Sequence, residues 1–103
     1  VVEAAAALAI CRLLPADDGS LAGLRRQLDD VDQQMTALLA RRLALAGEIG
    51  KIKAAQGLPV LDEQREAEVL ARRGDLLPQR RQQVERLFRL LIAESREEQE
   101  RHG

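Results

Sequence analysis

From Leu21 to Gln56 no proline interrupts a run in which Leu24, Leu28, Val31, Met35, Leu38, Leu45, Ile49 and Ile52 return at helical spacing. Gly47 and Gly50 are its weak points, and the pattern still predicts one long helix over 21–56. At 1.5 Å per residue such a helix is about 54 Å long, whereas a compact domain of about 100 residues has a radius of gyration near 13 Å. The remainder of a 103-residue chain cannot cover a stripe of that length. Pairing with a second copy, long helix against long helix, is the simplest way to bury it.

Downstream, the stretch GLPV at 57–60 ends the helix, because Gly57 suits the position just past a helix C-terminus and Pro59 cannot continue one. Asp62 stands where an N-terminal cap belongs, opening a short helix to about Arg73 that Gly74 terminates. Pro78 starts the last helix, whose stripe Val84, Leu87, Phe88, Leu91 and Ile92 continues into Ser95 and Gln99. Leu, Ala, Arg, Glu and Gln dominate, β-branched residues are few, and one Phe is the sole aromatic residue. An all-α chain of long, short and long helices is expected.

Composition also narrows the function. A formal net charge of −1 and the lack of an aromatic stacking platform argue against nucleic acid as a partner. Cys11 and His102, alone and near opposite ends, supply neither a Cys/His metal set nor a nucleophile and base pair, so no metal and no cofactor are expected. Residues 1–20 read as an N-terminal extension ahead of a segment over 21–103. Their Ala-rich run resembles the apolar part of a signal peptide, but Glu3 stands where a basic start belongs and the run is too short to span a bilayer. A short extra helix is the plainer reading of that run. The expected location is the cytoplasm, or the periplasm or exterior if residues 1–14 are a signal remnant, and no membrane partner is expected.

Several polar groups sit where apolar ones belong. Leu38, Leu45, Ile49 and Ile52 fall within about 60° of one another on the long helix, and Arg42 and Lys53 lie on the same stripe. An unpaired buried cation is costly, so the two either snorkel to solvent at the stripe's edges or face an anion held between them. Arg25 is about 25 Å from Arg42 along the helix and about 100° around it. It is an ordinary surface arginine, or it reaches Arg42's surroundings from the antiparallel helix of a second copy. Asp62, Arg65 and Glu66 share one helical face, as a solvated ion network or as acceptors and a guanidinium presented to a ligand. Ser95 and Gln99 mark either the end of the last helix's buried stripe or hydrogen-bonding groups aimed into a pocket.

In order and spacing, the blocks LRRQLDDVDQQMTALLARR, EIGKIK, LPVLDEQREAEVL and RLFRLLIAESREEQ resemble the all-helical class of chorismate mutases, over residues 21 to about 101. The family's motif falls on Arg25, Arg42, Lys53, Asp62, Arg65, Glu66, Ser95 and Gln99, with Ile49 and Ile92 as apolar walls. The resemblance implies an intertwined homodimer, each site completed by Arg25 of the other copy, that rearranges chorismate to prephenate. It implies that Arg25 and Arg42 hold the substrate carboxylates, with Ser95 and Arg65 in support. Glu66 and Asp62 would accept the ring hydroxyl, and Lys53 and Gln99 would donate to the ether oxygen. Lys53, Gln99 and Arg42 are thus the expected catalytic residues. The rearrangement transfers no proton to the enzyme and forms no adduct, so it needs no His or Cys. Rival readings are an isochorismate pyruvate lyase or an amino-deoxychorismate mutase on the same fold, or a catalytically silent helical dimer.

Overall fold

The computed structural model describes residues 19–102. The expected extra helix or signal remnant, and Cys11, lie outside the described residues. The described residues form helix α1 (Leu21–Gln56), helix α2 (Glu63–Leu76), a 3₁₀ turn (Pro78–Arg80) and helix α3 (Arg81–His102), with no strand among them. This is the all-α order of long, short and long helices that the apolar spacing predicts. No helix among the described residues is long and apolar enough to cross a membrane. The chain divides into two compact units, Val1–Leu39 and Ala40–Gly103.

In the first unit, Ser20 caps α1. Its Oγ accepts from the backbone N–H of Gly23 at 3.0 Å and its carbonyl accepts from that of Leu24 at 3.0 Å, satisfying two amides that a helix start leaves without partners. The apolar side chains Leu21, Leu24, Leu28, Met35 and Leu38 are exposed.

In the second unit, the end of α1 is set by Gly57, whose φ of +67° is the left-handed conformation that glycine adopts without strain. The amide of Leu58 donates to the Lys53 carbonyl at 2.8 Å and that of Gly57 to the Ala54 carbonyl at 3.2 Å, the paired bonds of a Schellman stop. Asp62 caps α2, its Oδ1 accepting from the Arg65 amide at 3.0 Å. Replacing Asp62 with Ala removes that acceptor, and thermal unfolding is expected to show a loss of about 1 kcal/mol.

Three sequence expectations are corrected. Gly74 does not end the short helix, which runs on to Leu76. Gly74 is buried beneath Arg81, which pairs with Asp75, so its lack of a side chain makes room for a guanidinium. Leu87 departs from the buried stripe of the last helix and is exposed, and Pro78 opens a 3₁₀ turn from which α3 follows at Arg81.

The apolar stripe of α1 stays open within one chain, as its length requires: Leu45, Ile49 and Ile52 are 55%, 46% and 56% exposed. What packs within the second unit is a neighbouring face of small residues, Ala46, Gly47 and Gly50, all buried. A Cβ on Gly50 would collide with the Gln99 carbonyl oxygen and stand 2.7 Å from the Gln99 Cα, and one on Gly47 would stand 3.0 Å from the His102 ring. Helix α3 therefore crosses α1 at backbone contact, and only residues without bulk fit at the crossing. Val69 of α2 and Ile92 of α3 complete a small core with Ala46.

Candidate active site

The close crossing decides what lies beside it. At 100° per residue, Arg42 and Lys53 fall between the small-residue face and the exposed stripe of α1, about 20° apart. Both are half-buried and turn inward, so neither snorkels to solvent. Arg42 Nη1 donates to the Leu91 carbonyl at 3.0 Å and to Ser95 Oγ. Ser95 in turn donates to the same carbonyl at 2.9 Å, which fixes its hydroxyl with a lone pair toward the guanidinium. Lys53 Nζ donates to the Val60 carbonyl at 2.7 Å and to Gln99 Oε1 at 2.8 Å. The Schellman stop at Gly57 turns the chain so that Val60 comes back over Lys53.

Every one of these acceptors is neutral. Among the described residues, neither Arg42 nor Lys53 has a carboxylate partner. Burial, and after it the charge of Arg73, lower the pKa of Arg42 from the usual guanidinium value. Two groups also keep unused donors. Lys53 has three N–H donors and uses two, and Gln99, whose Oε1 faces Lys53, has its amide N–H₂ free to donate elsewhere.

These groups line one cavity of about 540 Å³ in the second unit. Of the residues expected at a site, Arg42, Ile49, Lys53, Asp62, Arg65, Glu66, Ile92, Ser95 and Gln99 all contribute to its wall. Ser95 and Gln99, each 9% exposed, are buried polar groups whose hydrogen bonds are made to the two cations, not merely the point where α3 leaves the core. Nor do Asp62, Arg65 and Glu66 form a solvated network along α2. Asp62 caps the helix, and Glu66 Oε2 forms an ion pair with Arg96 Nε of α3 at 3.0 Å. Arg25 belongs to the first unit, where it is exposed.

The wall also holds Arg73 and Arg96, which the sequence reading passed over. Arg73 follows Glu66 by seven residues, two helical turns on the same face, and that spacing is the signal that points to it.

The model of one family, chorismate mutase type II, matches residues 24–100. The chain belongs to the chorismate mutase type II family. Some of the curated proteins it is similar to carry chorismate mutase in their names. It is 36% identical to the bifunctional chorismate mutase/prephenate dehydratase of Escherichia coli K12 over 81 residues, 76% of this chain and 21% of that protein. It is 47% identical to the T-protein of Enterobacter agglomerans over 53 residues, 52% of this chain and 14% of that protein. With the chorismate mutase of Methanocaldococcus jannaschii it shares 37% identity over 46 residues, 45% of this chain and 46% of that protein. The chain thus spans less than half the length of each of these three relatives. No solved structure matches it.

Proposed function

We propose that residues 21–103 are a catalytic segment that rearranges chorismate to prephenate. The observation that carries this reading is a pair of inward-facing cations, Arg42 and Lys53, that have only neutral acceptors and border one cavity. A dicarboxylate ligand supplies the missing anions.

In this reading Arg42, steadied by Ser95, holds one carboxylate. Arg65, exposed at the cavity wall, adds positive charge nearby. Glu66, held in place by its ion pair with Arg96, accepts the ring hydroxyl together with the Asp62 region. The remaining Lys53 proton and the Gln99 amide converge on the ether oxygen, and Ile49 and Ile92 press the flexible arm against the ring. As the ether C–O bond breaks and the new C–C bond forms, negative charge grows on that oxygen, where two fixed donors stabilise it more than in the ground state. Holding the ligand in its reactive conformer removes a further part of the barrier.

The exposed apolar side chains Leu24, Leu28, Leu45 and Ile52 support a homodimer as the working form, with the partner subunit's Arg25 brought to the second carboxylate. Sedimentation of the purified chain is expected to give twice the monomer mass.

The activity is tested by following chorismate absorbance, with prephenate identified through its acid conversion to phenylpyruvate. Isochorismate and amino-deoxychorismate assayed alongside separate the lyase and the amino-substrate mutase. Because Gln99 is uncharged at every pH, turnover is expected to stay level between pH 6 and 8, and a steep fall across that range would remove Gln99 from its role. In Gln99→Glu the new carboxyl donates only when protonated. Beside Lys53 it ionises more readily than the usual carboxyl, so activity is expected to rise as the pH drops below about 5 and to be weak at neutrality.

A further inference from the structure

Arg73 is the cavity side chain that the reaction as drawn leaves without a task. It lies half-buried near the end of α2, and its guanidinium carbon is 5.7 Å from the centroid of the Phe88 ring. The Arg42 guanidinium carbon is 6.0 Å from the same centroid. Phe88 therefore serves two cations at once, and its quadrupole offsets only part of their cost. Among the described residues Arg73 makes no hydrogen bond and no ion pair, and Arg42 is bound only to neutral oxygens.

Two guanidiniums that share a ring and lack a carboxylate repel each other, and the repulsion is felt at Arg42. A position near the C-terminal end of a helix favours a cation, which accounts for an arginine at 73 but not for its turning to the cavity. The imbalance extends around the wall. Arg42, Lys53, Arg65, Arg73 and Arg96 face only Asp62 and Glu66, in a chain whose net charge is −1. Positive charge is concentrated around the cavity.

We propose that Arg42 and Arg73 form a two-guanidinium seat for one carboxylate of the ligand, with the Phe88 ring as the spacer that holds both forks in place. Arg73 is then a substrate-binding residue supplied by the same chain as Arg42. The proposal rests on the reading of the ligand as a dicarboxylate. It assigns one carboxylate to a single chain's own arginines and leaves the other for the partner subunit's Arg25. A guanidinium pair binds a planar carboxylate with directional, charge-assisted bonds that a lysine reproduces only in charge.

The test compares the wild type with Arg73→Gln and Arg73→Lys, measuring calorimetric binding of prephenate, steady-state turnover of chorismate and the melting temperature. In folded Arg73→Gln, prephenate affinity is expected to fall about tenfold or more, with the loss in turnover falling on KM more than on kcat, and Arg73→Lys restoring part of it. A merely structural arginine would lower the melting temperature and leave affinity and KM within twofold of the wild type, and that result overturns the seat. Arg73-dependent prephenate binding by a wild type that does not convert chorismate keeps the seat and removes the proposed reaction. Turnover that is indifferent to Arg73 keeps the reaction and removes the seat. A wild type that neither binds prephenate nor turns over chorismate removes both.

Discussion

Lys53→Ala is expected to lower chorismate turnover by about 10²–10³-fold while the protein stays folded. The side chain spends two of its three protons on neighbours that hold it in place, the Val60 carbonyl and Gln99 Oε1, and keeps one for the cavity. Its removal takes away a donor aimed at the oxygen where charge develops. It also frees Gln99, whose amide is held by that same bond, so the two donors of the ether oxygen are lost together. Because this interaction strengthens in the transition state, the loss should appear mainly in kcat, with a smaller change in KM. Stability should change little, since both acceptors that Lys53 leaves behind, Val60 O and Gln99 Oε1, can hydrogen-bond water in an open cavity. A folded Lys53→Ala variant that turns over at more than a tenth of the wild-type rate would falsify the role.

A second large effect is expected at Gly50, which has no side chain of its own and lies against the backbone of Gln99. Gly50→Ala improves helix propensity by about 1 kcal/mol, and on an exposed helix face it would stabilise. Here the added methyl meets backbone, the Gln99 carbonyl and Cα, which cannot swing aside as a side chain can. Forcing extra volume into such a contact costs about 1–3 kcal/mol, and backbone contact puts the cost at the upper end, so a net destabilisation is expected. At about 4–8 °C per kcal/mol for a domain of this size, the melting temperature should drop by roughly 5–10 °C. Turnover should fall as well, because α3 can relieve the clash only by moving Gln99 away from Lys53. A variant as stable and as active as the wild type would show that the helices do not cross at this glycine.

These two residues also show what could be read from the sequence. Lys53 was conspicuous because a cation on an apolar stripe demands an explanation, and its eleven-residue spacing from Arg42 put both on one side of a helix. Gly50 carried the opposite message. Read locally, a glycine inside a helix is a defect, and its use as the point where α3 touches α1 depends on a segment almost fifty residues away. Gly74 misled for the same reason, since it suggests a helix end until Arg81 is seen above it. Arg73 was legible from its two-turn spacing after Glu66, but nothing in the spacing showed that it would share the Phe88 ring with Arg42.

What the sequence determined by itself is the set of local properties. Proline positions, the glycine stop at Gly57, the caps at Ser20 and Asp62 and the helical periodicity act within a few residues, so they fix three helices and their order without reference to anything distant. The tertiary structure alone decided which face of α1 is covered. Within one chain the small residues, and not the apolar stripe, lie against α3, because α3 approaches to backbone contact and bulky side chains cannot lie beneath it. That arrangement leaves Leu45, Ile49 and Ile52 uncovered by their own chain and stations Arg42 and Lys53 at the boundary, each within reach of a polar group of α3. Side-chain bulk at the crossing, a property of two helices together, is the physical reason the cavity lies where it does.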